Sequence, residues 1–259
     1  MSERSALNPL PISVLAELAE RFGEFMIIGA HARDRIVHDL AGLALSRLTH
    51  DLDLAIAVPS MEAFHQATRG LKSMGDTGTR FLVQGQPVDV LPFGEVELAA
   101  GPILETAAGI LTDVTGLAEA YQSADLIELK GVRFKAPTLP AMIVLKTVAW
   151  LMRGRETDKD ATDLAMLLEA ASHGQYEARC YDDLALLGRL DADPARVGTY
   201  LAGRDIAMEL PTALPKCMNA WAGARHESLL HQMNDVHGTY RRALAAMVEG
   251  TRNPVTGAG

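Results

Sequence analysis

One stretch decides the fold of this chain, FMIIGAHARDRIVHDLAGLALSRLTHDLDLAIAV at residues 25–58. Its first residues, Phe25 to Ile28, are all apolar and predict a short strand buried within a sheet. Gly29 follows in a tight turn, and the spacing of apolar residues from Ala32 to Leu45 predicts a helix. A second apolar strand runs from Leu52 to Val58. The stretch therefore predicts a strand, turn, helix and strand unit typical of an α/β domain.

Aspartates mark the beginning of the second strand. Asp51 and Asp53 point the same way because side chains alternate between the two faces of a strand. A third carboxylate, Asp89, lies on a later predicted strand within PVDVLPF, residues 87–93. Carboxylates on one face repel one another unless a cation holds them. Mg²⁺ prefers oxygen ligands and usually takes one or two carboxylates together with substrate phosphates. The pattern therefore predicts a magnesium site at these three aspartates.

The turn between the first strand and the helix predicts a phosphate contact. Gly29 allows a close approach of phosphate oxygens, and the helix that follows offers backbone N–H groups to an anion. Ala30 lacks a hydroxyl, so backbone groups would carry that contact. Arg33, one turn into the helix, either faces phosphate or forms a surface pair with Asp34 or Asp39. The sequence favours neither alternative.

A second motif lies in KTVAWLMRGRETDKDATD, residues 146–163. The Gly-small, Asp-x-Asp and later Asp pattern resembles the nucleotidyltransferase superfamily of the DNA polymerase β type. The later stretch is similar to the Lys…Ala…Arg…Lys/Arg-Asp-x-x-Asp signature of AbiEii-type toxins, which belong to type IV toxin–antitoxin and abortive-infection systems. Together the motifs span about half of the chain.

The resemblance implies transfer of a nucleoside monophosphate from an NTP to an acceptor hydroxyl, with release of pyrophosphate. Two Mg²⁺ ions would take part during turnover, with tRNA as the leading acceptor and an antitoxin as a possible partner. The implied catalytic residues are Asp51, Asp53, Asp89, Lys146 and Asp160, and the first three are the implied metal ligands. The implied nucleotide-binding residues are Gly29, Ala30, Arg33, Lys146 and Arg153.

Lys146 lies within an amphipathic segment predicted to be helical from Leu139 to Arg153. A buried lysine needs a partner, so it either reaches the triphosphate or extends its charged end to solvent. Asp160 and Asp163 share one face of the next predicted helix and could orient Lys146 and Arg153, bind the nucleotide or cap their own helix. The phosphate role predicts that Lys146→Met leaves thermal stability unchanged or raises it.

The rest of the chain completes an α/β (α+β) prediction. Two hairpins, at residues 80–91 with its turn at Gly85 to Pro87 and at residues 126–134, would extend a mixed sheet with flanking helices. The break at Ala136-Pro137 places a nucleotidyltransferase core at residues 1–135 and a helical domain at 136–248, with the active site in the cleft between them. Residues 249–259 are predicted to be disordered.

Composition limits the class of protein. The chain has 259 residues, 48% hydrophobic residues and a net charge of −9, which disfavours nonspecific binding to nucleic acid. The N-terminal residues lack the features of a secretory signal, no apolar run is long enough for a membrane span, and the two cysteines form no framework, so we expect a cytoplasmic protein without a membrane partner. Three histidines, His31, His38 and His50, match no zinc spacing. Two alternative functions remain open, namely nucleotidylation of a cationic small molecule such as an aminoglycoside, and a non-catalytic NTP-binding regulator.

Overall fold

The computed structural model describes residues 9–44, 49–97, 103–105, 109 and 111–253. Its contacts divide these residues into two compact units. The first unit comprises the described residues up to Asp34 and those from 49 to Thr138. The second comprises Arg35–Ala44 and the described residues from Leu139 onward. The segment 35–44, which follows Gly29 and the first residues of the helix after it, therefore belongs to the second unit.

The first unit is built on a seven-stranded mixed sheet, which confirms the predicted α/β class. Its strands in chain order are β1 (Met26–Ile27), β2 (Leu52–Ala57), β3 (Lys72–Ser73), β4 (Arg80–Val83), β5 (Gln86–Phe93), β8 (Asp125–Leu129) and β9 (Val132–Ala136). The spatial order is β3-β4-β5-β2-β1-β9-β8. β2 pairs in parallel with β5, and β1 pairs in parallel with β9, while the other neighbours are antiparallel. A separate antiparallel pair consists of β6 (Ile103–Glu105) and β7 (Leu111–Asp113).

Strands β2 and β5 lie inside the sheet, and their apolar residues form its core. Leu52, Leu54 and Val88 are completely buried. Helices whose bounds lie within the described residues accompany the sheet, namely α1 (Ile12–Phe22), α2 (Gly29–Asp34), α3 (Met61–Ala67) and α4 (Leu117–Ser123). Ser60 begins α3 because its hydroxyl accepts a hydrogen bond from the backbone N–H of Ala63, as N-cap serines do.

The second unit is helical. It begins with a π-helical segment, Arg35–Leu40, and continues after the first unit with α5 (Leu139–Arg153), α6 (Lys159–Ala170), α7 (Leu184–Arg189), α8 (Pro194–Glu209), α9 (Leu214–Trp221), α10 (His226–Gln232) and α11 (Thr239–Thr251). Helix α5 packs on α6 and α8, and α8 packs on α11. Trp150 and Trp221 are almost completely buried, and the Trp221 indole donates a hydrogen bond to Thr147 Oγ1 at 3.0 Å. Both tryptophans are therefore part of the core.

Three helical predictions differ from the structure. The helix expected from Ala32 begins at Gly29 and changes to π-helical hydrogen bonding at Arg35. The single helix expected from Glu227 to Val248 is two helices, α10 and α11. They are separated by a turn in which Asn234 and Gly238 have left-handed backbone conformations. Residues 249–251, expected in the disordered tail, belong to α11, and residues 254–259 lie outside the described part.

The length and polarity of each helix determine whether it can cross a membrane. Among the described residues, none of the helices combines the length and the apolar character that crossing a bilayer requires.

Candidate active site

The three predicted metal ligands lie on two neighbouring strands of the first unit. Asp53 on β2 is directly opposite Asp89 on β5 in a parallel pairing, so both side chains emerge from the same face of the sheet. Asp51 precedes Asp53 by two residues and therefore points the same way. We call Asp51, Asp53 and Asp89 the acidic row. Their side chains are only partly buried, with Asp51 39% and Asp89 27% exposed.

The turn at Gly29 adjoins the acidic row. The N–H of Ile28 donates a hydrogen bond to the carbonyl of Asp53 at 2.9 Å, and the Asp53 carboxylate lies directly over the next residue, Gly29. A Cβ atom placed on Gly29 would lie 1.9 Å from Asp53 Oδ2. Gly29 also has φ at +65°, a conformation that favours glycine. Two independent constraints, steric and conformational, therefore require glycine beside this carboxylate.

Arg80 on β4 contacts the acidic row, and the sequence prediction had missed it. It is directly opposite Asp89 in the antiparallel pairing of β4 with β5. One guanidinium nitrogen lies 2.8 Å from Asp51 Oδ2, and another lies 3.8 Å from Asp89 Oδ2. The negative charge of Asp89, followed by those of Asp51 and Asp53, raises the pKa of Arg80 although partial desolvation opposes the change. One cation thus interacts with the whole row.

The acidic row fits the ligand chemistry of Mg²⁺ in part. Among the residues that the structure describes, no group of three or more His, Cys, Asp or Glu side chains is arranged to hold a metal ion. Mg²⁺ nevertheless needs only one or two carboxylates when phosphates supply further ligands. Asp53 and Asp89, side by side on adjacent strands, match that requirement. The three-carboxylate site itself stays a prediction.

Other residues near Gly29 are buried. Arg33 is completely buried and ion-paired with Asp34, its neighbour in sequence. Pairing with Asp34 was one of the two predicted alternatives, but the pair lies inside the protein and not on its surface. Burial lowers the pKa of His31, and nearby Arg33 lowers it further while Asp34 opposes this. Ala30 is buried within α2, and whether its backbone contacts phosphate stays a prediction.

The residues of the second motif come together within the helical unit. Lys146 on α5 lies 2.6 Å from Asp163 Oδ2 and 3.3 Å from Asp160 Oδ1, both on α6. Arg153 donates two hydrogen bonds to Asp160, at 2.6 and 3.0 Å. We call these four residues the buried ion network, since Lys146, Asp160 and Asp163 are each at most 7% exposed. The network contains two positive and two negative charges.

Lys146 does not extend its charge to solvent, which excludes one of its two alternatives. Asp160 pairs with both Lys146 and Arg153, and Asp163 pairs with Lys146. Burial alone would raise the pKa of Asp160, yet the hydrogen bond from Arg153 and the charge of Lys146 outweigh burial and lower it. Asp160 is therefore ionised and paired at neutral pH. Contact of Lys146 or Arg153 with a nucleotide stays a prediction.

The predicted site residues thus form two groups, one in each unit. The acidic row, Gly29 and Arg80 lie together in the first unit. Lys146, Arg153 and Asp160 lie together in the second.

Comparison with known proteins gives only distant similarities. No protein-family model matches the chain, and no curated protein matches it. Among solved structures, the antibiotic-resistance factor ANT(2'')-Ia is similar at 15% identity and a TM-score of 0.35, over 70% of this chain and 91% of that one. An antigenic nucleotidyltransferase-like protein from Paracoccidioides brasiliensis is similar at 17% identity and a TM-score of 0.39, over 77% and 90%. At these values neither similarity supports an argument about the activity of this chain.

Proposed function

We propose that this chain is a nucleotidyltransferase that transfers a nucleoside monophosphate from an NTP to an acceptor hydroxyl. One observation carries the proposal, the contact between the acidic row and the glycine turn. Asp53 lies beside Asp89 on one side and against the backbone of Gly29 on the other. Carboxylates that suit a divalent cation therefore lie against a glycine turn whose backbone would contact phosphate, and this arrangement supports a role in nucleotide chemistry.

Each proposed site residue of the first unit would have a separate role. Asp53 and Asp89 would hold Mg²⁺, with Asp51 as a further ligand. Bound there, Mg²⁺ supplies charge neutralisation for the phosphates and lowers the pKa of an attacking hydroxyl. Gly29 leaves room for the Asp53 carboxylate directly over the turn, and the backbone N–H groups that follow would contact phosphate. Asp89, nearest the acceptor in proteins that this chain resembles, would accept the proton of the acceptor hydroxyl.

The acceptor is a finer proposal that rests on the resemblance of residues 146–163 to AbiEii-type toxins. On that basis we propose tRNA as acceptor, a toxin role in the cell and a cognate antitoxin as partner. The net charge of −9 favours a different acceptor, a cationic small molecule attracted by the acidic protein. A non-catalytic regulator would be expected to lack a carboxylate of the acidic row, yet all three are present.

Incubation with labelled NTPs, Mg²⁺ and either total tRNA or aminoglycosides tests the proposal. Label should move to one acceptor class, and Asp53→Asn should reduce the rate by about a thousandfold, because a metal ion contributes several kcal/mol to such a reaction. Asp125→Asn, an exposed aspartate on the edge strand β8, serves as a matched control and should transfer normally. Equal rates in Asp53→Asn and the wild type would contradict the proposed site.

A further inference from the structure

Arg80 changes the charge of the acidic row in a way that concerns cation binding. Three carboxylates and one guanidinium leave a formal charge of −2, so Arg80 offsets one of the three negative charges. Arg80 reaches this position because β4 and β5 pair antiparallel, with Arg80 opposite Asp89 and Asp89 opposite Asp53. A positive charge is therefore built into the row by the register of three adjacent strands.

The ion pairs of Arg80 with Asp51 and Asp89 are partly exposed, so another cation can replace the guanidinium. Its side chain is 36% exposed, and that of Asp51, its closer partner, is 39% exposed. Ion pairs between exposed side chains contribute little to stability because water solvates both partners well. The contact with Asp89 is longer, at 3.8 Å. Arginine does not lose its proton in proteins, so the guanidinium leaves these carboxylates only by moving away.

We propose that Arg80 is a displaceable counter-ion of the acidic row. It holds Asp51 and Asp89 when no divalent cation is bound, and a cation competes with it for the same carboxylates. The inference rests on the proposed function, since it takes the acidic row as the metal site. Its consequence is an order of binding. A cation alone binds weakly against this competition, whereas a cation that arrives with a nucleotide gains phosphate ligands and displaces Arg80.

Titration of the nucleotide-free protein with Mn²⁺, followed by the electron paramagnetic resonance of free Mn²⁺, tests the competition. Arg80→Gln should bind Mn²⁺ about fivefold to tenfold more tightly than the wild type, the range expected when a partly exposed ion pair is removed. Arg133→Gln removes the same charge from an exposed position on β9 and should bind like the wild type. Arg80→Lys, which keeps one charge but cannot bridge two carboxylates, should lie between the wild type and Arg80→Gln.

A second measurement uses thermal stability. Without a divalent cation, Arg80→Gln removes the cation that pairs with Asp51 and Asp89 and should melt only slightly below Arg133→Gln, because exposed ion pairs contribute little. Added Mn²⁺ should raise the melting temperature of Arg80→Gln more than that of the wild type. Equal Mn²⁺ affinities of Arg80→Gln, Arg80→Lys and the wild type would overturn the inference. The transfer assay with Asp53→Asn decides on the proposed function separately, because it includes the nucleotide.

Discussion

The two units each gather aspartates around basic side chains, but they balance the charges differently. The acidic row has three carboxylates against one arginine, and the side chains of Asp51 and Asp89 are 39% and 27% exposed. The buried ion network has two carboxylates against two cations, and its aspartates are at most 1% exposed. Burial is possible in the second case because the charges cancel, whereas an unbalanced buried charge would be very costly.

The difference indicates what each group can do. A group with excess negative charge at the surface can accept a further cation without first breaking a closed set of pairs. In the buried ion network the lysine and both aspartates are buried and their charges are balanced with the partly exposed Arg153, so the network primarily fixes the packing of α5 on α6. We therefore keep the acidic row as the proposed site of metal chemistry and expect the buried ion network to act first on stability.

The largest effect should come from breaking the buried ion network. Lys146→Met leaves Asp160 and Asp163 buried without the lysine that lies between them. Removal of one partner from a buried ion pair costs about 3–5 kcal/mol of unfolding free energy, measurable by urea denaturation. This reverses the expectation from sequence, in which Lys146 was free to serve a phosphate and its loss would not reduce stability.

Two further variants sharpen that result. Lys159→Met removes an exposed lysine at the beginning of α6 and should leave stability nearly unchanged. The double variant Lys146→Met with Asp163→Asn removes one charge of each sign and should recover part of the loss. An unchanged unfolding free energy in Lys146→Met would mean that the buried ion network does not stabilise the protein, contrary to its assigned role.

A smaller effect should follow from Gly29→Ala in the first unit. The new Cβ would lie 1.9 Å from Asp53 Oδ2, so the carboxylate has to move, and the left-handed backbone adds about 1–2 kcal/mol of strain. We expect nucleotidyl transfer to fall at least tenfold (~1.4 kcal/mol in the barrier). Gly131→Ala has the same type of backbone strain, at φ +82°, with no atom within 4 Å of the added Cβ. It should lose stability and keep its activity.

The smallest predicted effect is on the pH dependence of the unfolding free energy. Asp160 has a pKa below its ordinary value of 3.8, so its ion pairs stabilise the protein fully above that value. The contribution is lost as the pH falls through the lowered pKa. Unfolding free energies at pH 5 and pH 3 should therefore differ less in Arg153→Gln than in the wild type, by at most about 1 kcal/mol, since Arg153 is 55% exposed and screened by water. Identical pH dependence would show that Arg153 does not hold this pKa down.

Local patterns in the sequence predicted much of the first unit. The apolar runs predicted strands β1 and β2, and the turn residues predicted both hairpins. The same-face spacing of Asp51 and Asp53 follows from the alternation of a strand, whereas their closeness to Gly29 depends on the observed pairing of β1 with β2. Helix α5 begins and ends where amphipathic spacing placed it, at Leu139 and Arg153.

Other features depended on information that spacing does not contain. Arg80 meets Asp89 because the hairpin turns at Gln84 and Gly85, both with positive φ, a pattern typical of a two-residue turn. The sequence prediction placed the turn at Gly85 to Pro87, which changes every cross-strand pair. For Lys146, spacing showed that Asp160 and Asp163 share a face, but only the packing of α5 on α6 determines which partners a buried lysine meets.

Calorimetric titration with a non-hydrolysable NTP, in Mg²⁺ and in a chelator, tests the central claim most directly, namely that the acidic row binds a nucleotide together with a divalent cation. We predict binding by the wild type in Mg²⁺, much weaker binding in the chelator, and loss of the Mg²⁺ dependence in Asp53→Asn with its fold intact by circular dichroism. Equal affinity in Mg²⁺ and in chelator, or an Asp53→Asn variant that keeps the Mg²⁺ dependence, would contradict the claim.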